Sequence, residues 1–307
     1  MVVTHEVSCI IPANRTQLLD RVVDSVVSQS FPVAEVIVVL ASPELEWQSA
    51  SPLVSVVKQQ RKLRKAPAVL AGLSRAKGDL ILSVDCDTIL ADNAIELMMT
   101  SLTSETEVVC ARIYPLDTST WIGKARDDLY QKWHAQPRLI NGACFLARRG
   151  MLETLLPQLT TMVEDQELTR FLDSPRRWTI CQGAVAKTEE PKTLGGLFRQ
   201  LVRWSYGSEE FRAKIEAHLR LGATVFVATG AFALLGAIFA LLVGEMFGFL
   251  VLGSALVLGY AGLVVSYARL YRMKGVTMRR TLPYAFIEAA AFVTASIRFV
   301  LRKAPPW

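Results

Sequence analysis

Two long uncharged stretches constrain this chain most. No Asp, Glu, Lys or Arg occurs between Leu221 and Gly244, or between Met246 and Ala268. At about 1.5 Å per helical residue, each stretch is long enough to cross about 30 Å of hydrocarbon. We therefore predict two adjacent membrane spans. A buried helical hairpin of a soluble protein is the alternative interpretation of the same pattern.

The distribution of charge supports the membrane interpretation. Residues 1–220 hold 26 Lys and Arg against 26 Asp and Glu, whereas residues 221–307 hold 8 against 2. Because positive loops stay on the cytosolic side, the basic residues on either side of the pair of spans place the first 220 residues and the 269–280 loop in the cytosol. The even charge of residues 1–220 argues against a nucleic-acid partner. These flanking basic residues are Arg212, Lys214, Arg220, Arg269, Arg272, Lys274, Arg279 and Arg280.

A third apolar stretch, Leu282 to Leu301, carries Glu288 and Arg298. It either spans the membrane, in which case Glu288 needs a partner among the helices, or lies in the interface. The sequence thus divides into a globular domain at 1–198, an amphipathic interfacial segment at 199–220 and a membrane domain at 221–307.

Upstream of the spans, short apolar runs alternate with amphipathic helical patterns. This alternation predicts an α/β fold with a mostly parallel sheet, whose ligands bind beyond the carboxyl ends of the strands. The predicted strands are Val7–Ile11, Val36–Leu40, Leu53–Val57 and Leu80–Val84, and the predicted helices are Leu18–Gln29 and Pro67–Ala76.

Several common functional classes lack their motifs here. The five cysteines are scattered without a CxxC pair, and the three histidines lie far apart, so a zinc enzyme is not expected. No GxGxxG, GxxxxGK[ST] or GxSxG is present, so a Rossmann dehydrogenase, a P-loop ATPase and an α/β-hydrolase are also excluded.

Asp85-Cys86-Asp87 directly follows the last predicted strand. Two carboxylates so close together repel unless a cation or hydrogen-bond donors compensate them. A Mg²⁺ or Mn²⁺ ion that also binds a diphosphate would do so. The alternative is a turn whose aspartate caps a following helix at Asp92–Leu102.

Glu164-Asp165 precedes the helical run Leu168–Leu172. Acidic residues at this position are typical helix caps, and one of them could instead be a general base.

Gln200-Leu201-Val202-Arg203-Trp204 opens a segment with apolar residues at helical spacing. It predicts a helix at the membrane surface with Trp204 near the headgroups. Arg203 could meet lipid phosphate, or it could hold a leaving diphosphate.

Taken in order, these motifs resemble those of the family 2 glycosyltransferases with a GT-A fold, the group that contains cellulose, chitin, hyaluronan and glucosylceramide synthases. The resemblance covers nearly the whole chain, and residues 200–204 match the QxxRW signature at every specified position. The other matching segments are Lys65-Ala66-Pro67-Ala68, Asp85-Cys86-Asp87, Asn141-Gly142-Ala143-Cys144 with Arg148-Arg149, and Glu164-Asp165.

The resemblance implies roles for individual side chains. Asp85 would contact the nucleotide, Asp87 would hold the Mg²⁺ or Mn²⁺ ion on its diphosphate, and Asp165 would be the general base. An acceptor hydroxyl that gives its proton to Asp165 would then displace the nucleoside diphosphate in one inverting step. The remaining expected contacts are Lys65 near the nucleotide base, and Gln200, Arg203 and Trp204 around the diphosphate and the acceptor.

Three positions depart from the family pattern. Leu40-Ala41-Ser42-Pro43 stands where many relatives have an acidic turn that reads the uracil. Arg15 follows Asn14 where a glutamate is usual, and Leu70 stands in place of an asparagine. These departures leave the identity of the donor open.

The expected function is transfer of one sugar from a nucleotide sugar, a UDP-sugar by preference, to a membrane lipid at the cytosolic face. Two or three spans are too few to enclose a polymer channel within one chain, which favours a lipid acceptor. A small processive polysaccharide synthase is the alternative. A non-catalytic membrane scaffold with a degenerate nucleotide-sugar pocket is a third interpretation.

Overall fold

The computed structural model describes residues 5–135, 139–172, 174, 176–215, 217–273 and 278–305. The strands are β1 (Val7–Ala13), β2 (Glu35–Leu40), β3 (Val54–Lys58), β4 (Leu80–Val84), β5 (Thr88–Leu90), β6 (Val108–Pro115), β7 (Cys144–Arg148) and β8 (Trp178–Thr188). The α-helices are α1 (Leu19–Val27), α2 (Lys65–Leu73), α3 (Ala94–Thr100), α4 (Trp121–Ala135), α5 (Arg149–Leu155), α6 (Glu164–Leu172), α7 (Leu194–Ile215), α8 (Ala217–Leu242), α9 (Met246–Met273) and α10 (Met278–Val300).

The chain forms two compact units, and one of the boundaries between them falls within α4. The first unit contains Met1–Ser119 and Tyr130–Glu190, and the second contains Thr120–Leu129 and Pro191–Trp307. The first unit is built on one eight-stranded sheet in the order β3-β2-β1-β4-β7-β6-β8-β5. The second unit is helical over its described residues.

The sheet is parallel over the strands whose apolar runs alternate most regularly with helical patterns. Strands β3, β2, β1 and β4 run parallel to one another, and β6 pairs in parallel with β8. The pairs β4–β7, β6–β7 and β5–β8 are antiparallel. The predicted α/β fold is confirmed. Because β1 to β4 share a direction, their carboxyl ends meet at one edge of the sheet.

Burial explains why these runs form strands. All residues of β1 and β4 are buried, as are all but the first residue of β2, so both faces of these strands are covered. Nearly continuous Val, Ile and Leu runs are typical of parallel strands covered on both faces. The side chains divide between two core clusters, with Ile11 and Leu82 in one and Ile10 and Ile81 in the other.

Helix α2 begins earlier than the sequence predicts. We expected Pro67–Ala76, but the helix runs from Lys65 to Leu73. Proline is tolerated throughout the first helical turn, so Pro67 does not mark the first residue. Strand β3 is also shifted by one residue from the predicted Leu53–Val57. The earlier start of α2 places Lys65 in its first turn.

The second unit contains the apolar stretches. Met246–Arg269 and Arg279–Val300, of 24 and 22 residues, are long and apolar enough to cross a membrane. The predicted first span falls partly on side chains outside the described residues, and its described remainder, Val227–Leu242, is apolar but shorter.

The helices of the second unit differ in what their side chains contact. Large apolar side chains of α8 and α9 are exposed, with Phe232 at 76%, Leu242 and Phe247 at 78%, and Leu258 at 71%. Helix α10 instead carries a buried stripe of Tyr284, Ala285, Ala289, Ala291 and Ala295. A soluble monomer rarely exposes so much apolar surface as α8 and α9 do.

The close approach of α2 to β1 gives a stability prediction. A Cβ at Gly72 would lie 2.5 Å from Ile10 Cγ2 and 3.2 Å from Val39 Cγ2. We expect Gly72→Ala to destabilise the first unit by about 1–3 kcal/mol through overpacking. Gly150→Ala, on helix α5, is the matched control because nothing lies within 4 Å of its Cβ. It should be neutral or stabilise by up to about 1 kcal/mol. Thermal unfolding of both variants in detergent tests this, and equal melting temperatures would contradict it.

Candidate active site

Lys65 contacts two carboxylates and one backbone carbonyl at the edge where the parallel strands end. Its Nζ lies 2.6 Å from Asp85 Oδ1, just beyond β4, and 3.5 Å from Glu164 Oε1 at the start of α6. Nζ also donates to the Gly142 carbonyl at 2.5 Å. Opposite charges surround the ammonium and raise the pKa of Lys65 despite the burial that opposes this. Lys65 is therefore the fixed cation of this cluster.

Gly142 lies among the same groups. A Cβ at this position would stand 3.4 Å from both Lys65 Nζ and Glu164 Oε1, and 3.5 Å from Asp165 Cβ. Asp85 is anchored here by its own backbone, whose N–H donates to the Ala143 carbonyl at 2.9 Å. The structure thus brings the DxD motif, the Asn141-Gly142-Ala143-Cys144 segment and the Glu164-Asp165 pair together.

The start of α6 shows which acidic residue binds the preceding loop. Glu167 Oε2 accepts the backbone N–H groups of Thr160 and Thr161 at 2.8 and 2.9 Å. Glu164 contacts Lys65, and Asp165 Oδ1 accepts only the neighbouring Gln166 N–H at 2.8 Å among the hydrogen bonds described. Glu167 therefore tethers the loop before α6. The sequence analysis did not single out this residue.

Burial disfavours the ionised forms of Asp85 and Asp165. Burial, followed by the charge of Glu164, raises the pKa of Asp165 to about 7, although Lys65 opposes this. Burial also raises the pKa of Asp85, with Lys65 lowering it and Asp87 raising it. A carboxylate with a pKa near neutrality suits proton transfer at physiological pH.

Asp87 faces a second cation. One oxygen of Asp87 accepts from Arg15 Nη2, and Arg15 Nη1 lies 3.1 Å from Glu189 Oε2 just beyond β8. The other oxygen of Asp87 lies 3.4 Å from the hydroxyls of Thr88 and Thr188. Helix α3 has no side-chain cap, so the alternative of an aspartate turn capping that helix does not hold.

The QxxRW residues lie on α7 in the second unit, where Gln200 and Trp204 contact a buried arginine. Arg126, on α4, donates from Nη2 to Gln200 Oε1 at 2.6 Å and stands 4.5 Å above the Trp204 ring. It is also 5.5 Å above the ring of Tyr284, and its charge interacts with Glu288 on α10. Glu288 thus has an oppositely charged neighbour, as a spanning α10 would require.

Comparison with known proteins identifies this architecture. Residues 8–156 match the family described as glycosyl transferase family 2. Residues 8–156 therefore form a family 2 glycosyltransferase domain. It is 30% identical over 184 residues to an N-acetylglucosaminyltransferase of Mesorhizobium japonicum, and 27% identical over 243 residues to one of Rhizobium meliloti. The first match covers 52% of this chain and 43% of the relative, and the second covers 72% and 54%. The matches thus span about half the length of these relatives.

A solved structure supports the GT-A fold of this chain. The mannosyltransferase PcManGT from Pyrobaculum calidifontis, in complex with GDP-Man and Mn²⁺, superimposes with a TM-score of 0.60 at 16% sequence identity. The match covers 98% of this chain and 89% of that protein. The likeness therefore extends over both units.

The two carboxylates around Arg15 would suit a divalent ion. The carboxylates of Asp87 and Glu189 already converge on one cation, the Arg15 guanidinium. Mg²⁺ and Mn²⁺ favour one or two carboxylates together with phosphate oxygens. Among the described residues, no group of three or more His, Cys, Asp or Glu side chains could hold a metal by itself.

Sequence reasoning missed two residues of these clusters. Glu189 follows an eleven-residue strand with no motif around it, and Arg126 lies within an amphipathic helix that has no family signature. Each meets its partners across more than 70 positions of sequence. Only the fact that Glu189 follows directly on a strand, as Asp85 does, could have drawn attention to it.

The Lys65 cluster yields a prediction on stability. Lys65→Met leaves Asp85 and Glu164 facing each other without their cation. We expect a loss of up to about 3 kcal/mol, the lower end of the range for breaking a buried pair. Adding Asp85→Asn should restore part of that loss. Lys58→Met is the matched control, because Lys58 pairs with Glu46 at the surface and its removal should cost below about 1 kcal/mol. Thermal unfolding of the variants measures these losses of stability. Equal losses in Lys58→Met and Lys65→Met would contradict this account.

Proposed function

We propose that this glycosyltransferase moves a sugar from a nucleotide sugar to an acceptor hydroxyl with inversion of configuration. The observation that carries the proposal is the cluster of Asp85, Glu164 and Asp165 around Lys65 at the carboxyl edge of the sheet. Ligands of such sheets bind at this edge. In family 2 enzymes the same motifs handle the nucleotide, its metal and the acceptor proton.

For the donor we propose a UDP-sugar, with N-acetylglucosamine as the transferred sugar. The support is that the curated relatives compared above are described as N-acetylglucosaminyltransferases. GDP-mannose is the second donor to test, because the structural neighbour was solved with it. Strand β2 leads into Leu40-Ala41-Ser42-Pro43 rather than an acidic turn, so a uracil would be read by other contacts.

We assign the proton transfer to Asp165. Its carboxylate takes the proton of the acceptor hydroxyl as the oxygen attacks the anomeric carbon and the nucleoside diphosphate leaves. Lys65 holds Asp85 and Glu164 in place, so the other side chains of the cluster stay fixed while the proton moves. A divalent ion bound at Asp87 would supply positive charge to the leaving diphosphate.

In the second unit we assign Arg203 to the diphosphate, with Gln200 and Trp204 shaping the acceptor end. Arg126 holds both Gln200 and Trp204, so we infer that it orients the motif. A guanidinium suits a diphosphate because it offers several donors in a fixed plane.

We further propose that the acceptor is a membrane lipid and that the first unit faces the cytosol. The exposed apolar faces of α8 and α9 support a membrane location, and the basic residues at 269–280 support the orientation. Few spanning helices leave little room for a polymer channel, whereas a lipid can enter from the side.

A small processive polysaccharide synthase is the second candidate. The complete QxxRW signature favours it, since polymer-forming members of the family carry the same motif. The length of the product separates the two. Purified protein that makes a single-sugar lipid supports the first candidate, and long polymer supports the second.

Asp165→Asn tests whether the chain is an enzyme of this kind. We expect turnover to fall by about 10²–10⁴-fold, the usual contribution of a general base, with donor binding largely retained. The assay is nucleotide release in lipid nanodiscs with Mn²⁺, from UDP-N-acetylglucosamine, UDP-glucose and GDP-mannose, with added lipid extract. Asp24→Asn, at an exposed position of α1, is the matched control and should behave as the unmodified chain. Equal turnover in both variants would contradict the assignment, and a scaffold would release nucleotide in neither.

The pH dependence gives a second test. Because Asp165 must be unprotonated to accept a proton and its pKa lies near 7, kcat/KM should rise with pH through about 7 and be lost below it. Glu164→Gln removes the neighbouring charge that raises this pKa, so the rising limb should move to lower pH. A limb that stays in place or moves upward in Glu164→Gln would show that another group titrates.

A further inference from the structure

Arg15 binds Asp87, the carboxylate that the family resemblance assigns to the metal ion. Its two terminal nitrogens bind Asp87 on one side and Glu189 on the other, at the ends of different strands. The Arg15 side chain is 40% exposed, whereas Asp87 and Glu189 are 23% and 20% exposed. Arg15 is therefore the most exposed side chain of the three.

The balance of charge at this edge leaves room for more positive charge. Five carboxyl groups lie around two cations, Lys65 and Arg15. The charge balance thus favours a divalent ion, yet Arg15 already holds Oδ2 of Asp87, and Oδ1 lies 3.4 Å from the hydroxyls of Thr88 and Thr188. The carboxyl groups belong to Asp85, Asp87, Glu164, Asp165 and Glu189.

We propose that Arg15 is a built-in counter-cation that makes divalent-ion binding at Asp87 depend on the nucleoside diphosphate. The inference rests on the proposed function. Arg15 competes with an ion for the Asp87 carboxylate, which weakens ion binding to the free protein. A diphosphate offers Arg15 new acceptors, because a guanidinium donates readily to phosphate oxygens in a fork geometry. Arg15 released in this way adds positive charge next to the leaving group.

Coupling of this kind is reciprocal. If UDP strengthens Mn²⁺ binding by some factor, Mn²⁺ strengthens UDP binding by the same factor. Arg15 therefore balances the negative charge of the carboxylates when no ligand is bound. It also couples the binding of the ion to the binding of the nucleotide. The glutamate that is usual at this position could not act in this way, since it would add a sixth carboxyl group instead of a cation.

The test measures Mn²⁺ binding to the full chain in nanodiscs by electron paramagnetic resonance, alone and with saturating UDP or GDP. For the unmodified chain we expect weak binding alone and at least about tenfold tighter binding with the nucleotide. Arg15→Gln should bind Mn²⁺ alone about tenfold more tightly than the unmodified chain, and the gain from nucleotide should shrink. Arg15→Lys keeps the charge and should remain close to the unmodified chain.

Arg177→Gln is the matched control, because Arg177 is 41% exposed and pairs with Glu107 elsewhere in the first unit. It should leave both Mn²⁺ affinities unchanged. An Arg15→Gln protein that binds Mn²⁺ no more tightly than the unmodified chain would overturn the inference, and turnover of a donor by the same preparation would show that the proposed function survives. If the unmodified chain neither binds UDP or GDP nor turns over any donor, the proposed function and this inference both fail.

Discussion

Compensation of carboxylates by two cations is the constraint on which this structure depends. Acidic groups from separate parts of the chain meet at one edge of the sheet, and in water-poor surroundings they would repel each other strongly. Lys65 binds the inner group through Asp85 and Glu164, and Arg15 binds the outer group through Asp87 and Glu189. The cations differ in burial, with 18% of the Lys65 side chain exposed against 40% for Arg15.

Because Lys65 and Arg15 differ in burial, they have different roles in the site. The inner cation is confined by a carbonyl and by two carboxylates, so it fixes geometry. The outer cation is held by carboxylates alone among the contacts described, and it can exchange them for the oxygens of a diphosphate. The raised pKa of Asp165 follows from the same crowding, since burial and Glu164 both oppose its ionisation. The crowding that costs folding free energy thus produces a base with a pKa near neutrality.

Local patterns predicted the scaffold well. The apolar runs of β1, β2 and β4 are buried on both faces, and their alternation with helical patterns was enough to predict a mostly parallel sheet. The antiparallel strand β7 inserts between β4 and β6 and was not predicted, because strand order depends on contacts between distant segments. The start of α2 was wrong by two residues, since Pro67 is compatible with several positions of the first turn.

The site could be predicted only where a motif marks it. Asp85, Asp87 and Asp165 stand out from their local patterns, and the structure brings Asp85 and Asp165 to Lys65. Lys65 was expected near the nucleotide base, and that role stays a prediction beside its observed ion pairs. The partner of Gln200 and Trp204 could not be foreseen, because Arg126 lies 74 positions before Gln200 and nothing in its own segment marks it.

A crystal structure of the full chain with UDP and Mn²⁺ would test the central claim most directly, namely that this acidic edge is a nucleotide-sugar site. The account predicts Mn²⁺ on Asp87, the Arg15 guanidinium turned from Asp87 to the diphosphate, and Asp165 unobstructed beside the place of the transferred sugar. A nucleotide bound away from Asp85 and Asp87, with the Lys65 and Arg15 ion pairs unchanged, would contradict it.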